Sequence, residues 1–211
     1  MNGNRVLAAD GPGLAAAAAA LRAGGVMGFP TDTVYGMAAS VEIPEAVRAI
    51  SLLKGRPVSQ PLILMVAEIG EVDRYALLSP FAGRIAARHW PGALTLILPA
   101  LEPAFVLGGG PTVGVRIPAH PIALALLRQG GPLATTSANR HGCAPALGAK
   151  EALEQLPGLA GAISEAPEDR VAREPSSILD LSKEPPRLLR AGRLDWSALG
   201  LVDGDGTERR Q

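Results

Sequence analysis

Two cations lie close together in the stretch SLLKGRPVSQPL, which spans residues 51–62. Lys54 and Arg56 flank Gly55, a residue type that commonly ends a helix, and the prolines that follow prevent the helix from continuing. No acidic residue occurs among the eleven residues after Arg56. A pair of cations on such a stiff turn suits a small, local anion, and we expect both side chains to be exposed.

Arg116 is a third candidate cation, in the predicted strand TVGVRIP. The apolar side chains that share one face of this strand are those of Val113, Val115 and Ile117. Gly114 and Arg116 lie on the other face because side chains alternate along a strand. The Arg116 guanidinium therefore points either to solvent or into a polar cleft, and the pattern alone leaves both alternatives open.

Short polar segments occur at the ends of several predicted strands. PTDTVYG, residues 30–36, follows the strand VMGF, and TTSAN, EPSSILDL and LLRAG lie at later strands. Hydroxyl, carboxyl and amide side chains often bond to their own backbone and form a turn, which is the structural alternative to a ligand site. The polar residues that the later segments contribute include Ser137, Asn139, Ser176 and Arg190.

Helix-like and strand-like segments alternate along the chain. Apolar periodicity and Gly or Pro boundaries predict helices at residues 14–23, 44–54, 79–90, 121–131 and 149–156. Apolar runs predict strands at residues 26–29, 62–67, 93–98, 112–118, 132–139, 176–181 and 187–192. This alternation predicts one α/β domain around a largely buried sheet, and ligands of open α/β sheets bind where strands end.

The composition disfavours several classes of protein. Of 211 residues, 47% are hydrophobic and 19% are charged, which is typical of a globular protein with a substantial core. Twenty basic residues balance twenty acidic ones, so no overall positive charge points to a nucleic acid or a membrane as partner. Any anion bound by Lys54 and Arg56 is therefore expected to be small.

Cys143 is the single cysteine, which excludes an internal disulfide and suits a reducing environment. It has no obvious base partner, which argues against a nucleophilic role. The alanine-rich segment near the N-terminus is too short for a membrane span and is not followed by a cleavage region. We expect a cytoplasmic protein with one domain at residues 1–195 and a short polar tail at residues 196–211.

Seven short motifs carry a family resemblance by their order: PTDTVYG, KGRPVSQPL, WPGALTL, TVGVRIPAHP, TSAN, PSSILDL and LLRAG. The ordered set resembles the YrdC family, the threonylcarbamoyl-AMP synthases, over roughly residues 12–193. The resemblance implies a single YrdC-like α/β domain, with a twisted mixed sheet flanked by helices and a concave, positively lined cleft.

The resemblance also implies an activity. L-threonine, bicarbonate and ATP would yield threonylcarbamoyl-AMP and pyrophosphate, the first step of N6-threonylcarbamoyladenosine formation in tRNA. Such a nucleotidyltransferase needs positioning and charge neutralisation more than a strong base. Mg²⁺ is expected with the triphosphate, without a protein ligand for the metal. The product would pass to a downstream threonylcarbamoyl transferase, and direct contact with tRNA is a weaker expectation.

Individual residues carry over from the family motifs. Lys54 and Arg56 would act catalytically by neutralising the phosphates, and Arg116 would hold the threonine carboxylate. The positions implied for threonine binding are Thr33, Arg116, Ser137 and Ser176. Those implied for ATP binding are Lys54, Arg56, Gln60, Thr112, Asn139 and Arg190.

Two positions depart from the family pattern. Met65 stands where many relatives have a histidine that contacts the amino acid, and Leu147 replaces a threonine that contacts the nucleotide. We expect Met65 to belong to the core and His141 to be exposed. Two alternatives stay open: a related enzyme that forms a carbamoyl-adenylate with another acceptor, and a non-catalytic RNA-binding protein. The balanced charge argues against RNA binding.

Overall fold

The computed structural model describes residues 6–108, 110–164 and 174–195. Its strands are β1 (Val6–Leu7), β2 (Met27–Phe29), β3 (Gly36–Ser40), β4 (Ile63–Met65), β5 (Leu94–Pro99), β6 (Thr112–Arg116), β7 (Leu133–Ser137), β8 (Gly161–Ile163), β9 (Ser177–Asp180) and β10 (Arg187–Arg190). Its α-helices are α1 (Gly11–Arg22), α2 (Pro44–Lys54), α3 (Pro80–His89), α4 (Pro121–Gly130) and α5 (Ala149–Gln155). Ile69–Arg74 and Glu102–Leu107 form 3-10 helices.

The described strands form one mixed sheet in the order β1-β8-β2-β3-β7-β4-β6-β5-β9-β10. The parallel pairs are β1 with β8, β8 with β2, β4 with β6 and β5 with β9, and the other neighbouring pairs are antiparallel. Strands β4, β6 and β7 therefore lie in the interior of the sheet and are paired on both sides.

The strands bury side chains on both faces of the sheet. Helices α2, α3 and α5 contribute to the larger apolar core, which contains Leu64 and Val115. Helices α1 and α4 contribute to a second core, which contains Met65 and Leu133. Leu64 and Met65 are neighbours in β4 but lie in different cores, because adjacent residues of a strand point to opposite faces.

Helices α1 and α4 cover only part of the second face. On β7, Leu133 packs in the second core, whereas Thr135 and Ser137 on the same face line a cavity. On β4, Met65 belongs to the second core and also borders this cavity, and Ile63 lines it further along the strand. The uncovered part of this face is where the polar ends of the strands can meet a ligand.

The predicted elements are confirmed, with ends shifted by a few residues. Strands β1, β3 and β8 were not predicted from the sequence. Strand β3 has the sequence GMAAS, and small residues of this kind have little intrinsic strand preference. It forms because β2 and β7 pair with it on its two sides.

The predicted tail at residues 196–211 lies outside the described residues, so the domain boundary stays a prediction.

Within residues 6–108, 110–164 and 174–195, no helix is both long enough and apolar enough to cross a bilayer.

The central strand β4 provides a test of the core. Leu64 is fully buried, whereas Leu52 on α2 is 75% exposed. We expect Leu64→Ala to lower the free energy of unfolding by about 2–5 kcal/mol, because it leaves a cavity in the larger core. Leu52→Ala should change it by less than about 0.5 kcal/mol. Denaturant titration of both variants checks this, and equal losses would contradict the assigned burial of β4.

Candidate active site

Two adjoining cavities open on the uncovered part of the sheet. Their volumes are about 470 Å³ and about 360 Å³, and we call them the first and the second cavity. The residues that line both are Ile63, Thr135, Thr136 and Arg190. The charged side chains in the walls are those of Arg116 in the first cavity, Arg56 in the second and Arg190 in both. The two cavities therefore form a cationic depression with two ends.

The Arg116 guanidinium is held by three acceptors from two separate segments of the chain. Its Nε donates to Gly92 O at 2.9 Å, and its Nη1 donates to Thr33 Oγ1 at 2.8 Å. Its Nη2 donates to Asp32 Oδ1 at 2.7 Å, which is also an ion pair. Arg116 is 3% exposed and lines the first cavity, so the solvent-facing alternative is excluded.

Thr31 and Thr33 shape the loop between β2 and β3. Thr31 Oγ1 donates to Val34 O at 2.7 Å and accepts a hydrogen bond from Thr33 N at 3.1 Å. The segment is therefore a turn that bonds to its own backbone, as its residue types predict. Both threonines also line the first cavity, where Thr33 supports Arg116. Thr31 and Thr33 therefore stabilise the turn and also form part of the wall of the first cavity.

Ser176 forms another part of the wall of the first cavity, just before β9. Its Oγ lies 2.9 Å from Thr95 Oγ1. Arg190 donates from Nε to Ser176 O at 3.0 Å and from Nη2 to Ser176 Oγ at 3.1 Å. A Cβ at Gly192 would lie 2.3 Å from Pro175 O, so only glycine permits this close approach of the chain beside Ser176.

Arg56 extends from the end of α2 into the second cavity. Gly55 has φ of 67°, a left-handed conformation, so the chain turns sharply between Lys54 and Arg56. Arg56 Nη2 donates to Gln60 O at 3.3 Å. Among the described residues, the buried Nε of Arg56 has no hydrogen-bond partner. Thr112 at the start of β6 lines the same cavity.

The expectation that both cations are exposed is wrong, because Lys54 is only 6% exposed and Arg56 is partly buried. Lys54 Nζ lies 2.6 Å from Ser137 O and 2.8 Å from Asn139 Oδ1. It also lies 3.1 Å from Asn139 O and 3.3 Å from Ser137 Oγ. An ammonium has three N–H donors, so these four oxygens use its full capacity. In the described structure, Lys54 supports the cavity wall from behind and is not part of its surface.

Asn139 connects Lys54 to the loop after β7. Its Oδ1 accepts from Lys54 Nζ and from Ser137 Oγ, the latter at 2.6 Å. Its Nδ2 donates to Arg140 O at 3.0 Å and to Cys143 O at 2.7 Å. The end of α2 therefore fixes the positions of Ser137 and Asn139, two residues predicted to bind substrates.

Burial shifts the pKa of the cations in the site. It lowers the pKa of Arg116; Asp32 raises it in turn, and Arg190 and Arg193 lower it. Burial also lowers the pKa of Arg56. Burial and, after it, the charge of Arg56 lower the pKa of Lys54 to about 8. A bound anion would offset each of these shifts by favouring the charged form.

The structure brings most of the predicted site residues together. All four residues predicted for threonine line the first cavity: Thr33, Arg116, Ser137 and Ser176. Of those predicted for ATP, Asn139 lines the first cavity, Arg56 and Thr112 line the second, and Arg190 lines both. Lys54 and Gln60 are not part of these walls, but each bonds to a residue that lines them. The ligand roles themselves stay predictions.

Asp32 and Thr95 were not identified from the sequence. Asp32 lies within the motif PTDTVYG, but its ion pair with Arg116 joins residues 84 positions apart. Thr95 interrupts the otherwise apolar run ALTLIL, and it is 1% exposed. A polar residue in a buried strand needs a partner, and that signal could have marked Thr95 as part of a polar cluster.

The positions that depart from the family pattern fall in different surroundings. Met65 lies in the second core as expected, and in addition it borders the first cavity. Leu147 is 51% exposed and His141 is exposed. Cys143 is exposed and also lines the first cavity.

The described residues form no group of three or more His, Cys, Asp or Glu side chains that could hold a metal ion. The carboxylate beside the first cavity, that of Asp32, is already paired with Arg116. The described side chains therefore do not fit a protein-held Mg²⁺, and no chemical step is assigned to the ion.

The Sua5/YciO/YrdC family model, whose description is "Telomere recombination", matches residues 19–192. The chain belongs to this family. A Bacillus subtilis protein named threonylcarbamoyl-AMP synthase is 38% identical over 204 residues, which cover 94% of this chain and 58% of that protein. A protein of the same name from Alkalilimnicola ehrlichii is 38% identical over 169 residues, covering 77% of this chain and 88% of that protein. The resemblance inferred from the ordered motifs is thereby confirmed.

Solved structures of the family share the fold. Pyrococcus abyssi Sua5 complexed with L-threonine superposes with a TM-score of 0.83 at 38% identity, covering 89% of this chain and 56% of that chain. Escherichia coli YciO superposes with a TM-score of 0.81 at 25% identity, covering 92% and 98%. The mixed α/β prediction is confirmed. The chain spans little more than half the length of the Bacillus subtilis and Pyrococcus abyssi relatives.

The buried Lys54 gives a pH-dependent test. Between pH 8 and 10.5, the unfolded chain retains a proton on Lys54 that the folded chain has released, so the cost of burying this residue falls as the pH rises. Lys54→Met removes the effect. We expect the free energy of unfolding of the wild type, minus that of the variant, to grow from about pH 7.5 to about pH 9.5. Denaturant titrations at each pH measure this difference. A constant difference would show that Lys54 does not titrate in this range.

Proposed function

We propose that the protein synthesises threonylcarbamoyl-AMP from L-threonine, bicarbonate and ATP, with release of pyrophosphate. The observation that carries the proposal is the two-ended cationic depression. A guanidinium fixed for a carboxylate, that of Arg116, lines one cavity, and Arg56 lines the adjoining one. Arg190 lines both, so an amino acid and a triphosphate could meet between them. The names of the relatives and the L-threonine complex of Pyrococcus abyssi Sua5 support the same activity.

The proposed reaction has two bond-forming steps. The amine nitrogen of threonine attacks the carbon of bicarbonate, forming an N–C bond and releasing water to leave a carbamate. A carbamate oxygen then attacks the α-phosphorus of ATP, and the bond to the departing pyrophosphate breaks. Both steps need oriented reactants and stabilised negative charge. The described residues supply these through hydrogen bonds and guanidinium groups.

In the proposed mechanism, each residue has a role set by its position. Arg116 and Thr33 bind the amino-acid carboxylate, while Ser137 and Ser176 provide hydroxyl contacts. Arg56 and Arg190 neutralise the triphosphate and the departing pyrophosphate. The polar residues that complete the nucleotide site are Thr112, Asn139 and, through its contact with Arg56, Gln60. Lys54 acts by supporting the wall and by contributing positive charge beneath it.

The proposal extends to the wider context of the reaction. The enzyme would be a nucleotidyltransferase of the cytoplasm, acting in the formation of N6-threonylcarbamoyladenosine. ATP would bring Mg²⁺ on its phosphates, since this ion commonly retains water and phosphate ligands. A downstream transferase would then take the adenylate to tRNA.

Product analysis tests the proposed activity directly. With ATP, Mg²⁺, bicarbonate and L-threonine, we expect pyrophosphate release and formation of threonylcarbamoyl-AMP. Omission of either threonine or bicarbonate should reduce pyrophosphate to background, because both contribute atoms to the carbamate. Coupled pyrophosphate assays and mass spectrometry measure this. Equal turnover without any amino acid would instead support a carbamoyl-adenylate enzyme, and salt-sensitive retention of RNA without turnover would support an RNA-binding protein.

Arg116→Lys tests the amino-acid end of the site. Lysine keeps the charge but loses the planar pair of donors. We expect threonine affinity to weaken by roughly 1.5–3 kcal/mol, about ten- to a hundredfold. ATP affinity without threonine should be nearly unchanged, because the phosphates are assigned to Arg56 and Arg190. Calorimetric titration of each ligand measures both, and an unaltered threonine affinity would remove Arg116 from the site.

A further inference from the structure

Asp32 places a carboxylate among the arginine side chains of the site. Its Oδ1 is 2.7 Å from Arg116 Nη2, and the two side chains are 13% and 3% exposed. Arg193 Nη1 donates to the backbone oxygen of Asp32. Arg190 and Arg193 both lie close enough to Arg116 to disfavour its charge, and Asp32 opposes them. Asp32 is therefore the anionic partner at a site surrounded by cations.

Asp32 acts on Arg116 and, through it, on the cavity. Thr31 and Thr33 line the first cavity, while the carboxylate of Asp32 between them contacts the guanidinium. Gly92 O, Thr33 and Asp32 each accept from a different nitrogen of Arg116. A guanidinium has five N–H groups, so one remains on each terminal nitrogen. A carboxylate that reaches both of them could be bound through two N–H groups.

The pairing also changes which anions Arg116 attracts. The first and second cavities share the Arg190 wall, so a triphosphate bound beside Arg56 and Arg190 has Arg116 as a nearby cation. An unpaired guanidinium in this partly dehydrated place would attract the more highly charged phosphate most strongly. Asp32 cancels the net charge of Arg116 and leaves two N–H donors for a singly charged carboxylate. The Asp32–Arg116 pair therefore favours a carboxylate over a phosphate by the position of its N–H donors and not by its net charge.

We propose that Asp32 is a positioning residue that reserves Arg116 for the amino-acid carboxylate: it fixes the guanidinium and keeps multiply charged phosphates at the Arg56 and Arg190 end. The inference rests on the proposed function, since it requires an amino acid and a triphosphate in adjoining cavities. It predicts that removing the charge of Asp32 makes the two ligands compete for one arginine.

The test compares Asp32→Asn with wild type and with Glu42→Gln. Glu42 is a suitable control because it also pairs with an arginine, Arg74 at 3.0 Å, and it lies outside both cavity walls. The dissociation constant of L-threonine is measured by calorimetry with and without inorganic tripolyphosphate, at constant ionic strength. In wild type and Glu42→Gln, we expect tripolyphosphate to leave this constant unchanged.

In Asp32→Asn, threonine affinity should weaken about tenfold even without tripolyphosphate, because Arg116 loses the charge-assisted bond that fixes its guanidinium. It should weaken further in proportion to tripolyphosphate concentration, as for a competitor. In an Arg116→Lys background, Asp32→Asn should have little additional effect, because Asp32 acts through that arginine. A purely structural role would lower the melting temperature without creating competition.

Asp32→Glu distinguishes the effect of the negative charge from the effect of its position. It is also the variant to use if Asp32→Asn does not fold. It keeps the anion but displaces it by one methylene, so threonine affinity should fall while tripolyphosphate still fails to compete. Where Asp32→Asn folds, competition in every variant, or in none, would overturn the inference; where it does not fold, competition in Asp32→Glu or an unchanged threonine affinity in it would do so. Threonine binding that is normal in wild type but unaffected by both Asp32 variants would overturn only the inference. A wild type that does not bind threonine would contradict the proposed function itself.

Discussion

The candidate site depends on one buried charge, the guanidinium of Arg116. A cation in such a place costs several kcal/mol unless hydrogen bonds and an opposite charge compensate it. Gly92 O, Thr33 and Asp32 provide that compensation from two segments distant in sequence. The loop after β2 and the turn before β5 must therefore converge on the end of β6. Their positions follow from the need to satisfy Arg116, and with them the shape of the first cavity.

The end of α2 imposes a second constraint. Lys54 continues the buried side of the helix and inserts its ammonium among the oxygens of Ser137 and Asn139. After the left-handed Gly55, the chain sends Arg56 to the second cavity. One helix terminus thus serves two functions with adjacent cations: Lys54 holds a loop in place, and Arg56 remains available to a ligand.

The sequence predicts these features to different extents. Strand alternation places Arg116 on the correct face, because that rule depends only on neighbouring residues. The helix end at Gly55 is local too and was predicted. The burial of Lys54 was not, because its acceptors lie more than 80 residues further along the chain. Asp32 was not identified for the same reason, because its partner Arg116 is 84 residues further along the chain. Strand β3 was not predicted because its sequence, GMAAS, has little strand preference. The segment is a strand because it pairs with β2 and β7.

Both cavities have a floor made of interior strands. Because β4, β6 and β7 are each hydrogen-bonded to neighbours on two sides, the floor can move only if hydrogen bonds between strands break. The rims differ in this respect: Asp32 bonds to Arg116, and Ser176 bonds to Arg190 and Thr95, through contacts in which at least one partner is a side chain. A compound too large for the cavities would therefore gain room by pushing these rims apart. The room for a bulkier ligand is therefore set more by side-chain contacts at the rims than by the backbone of the floor.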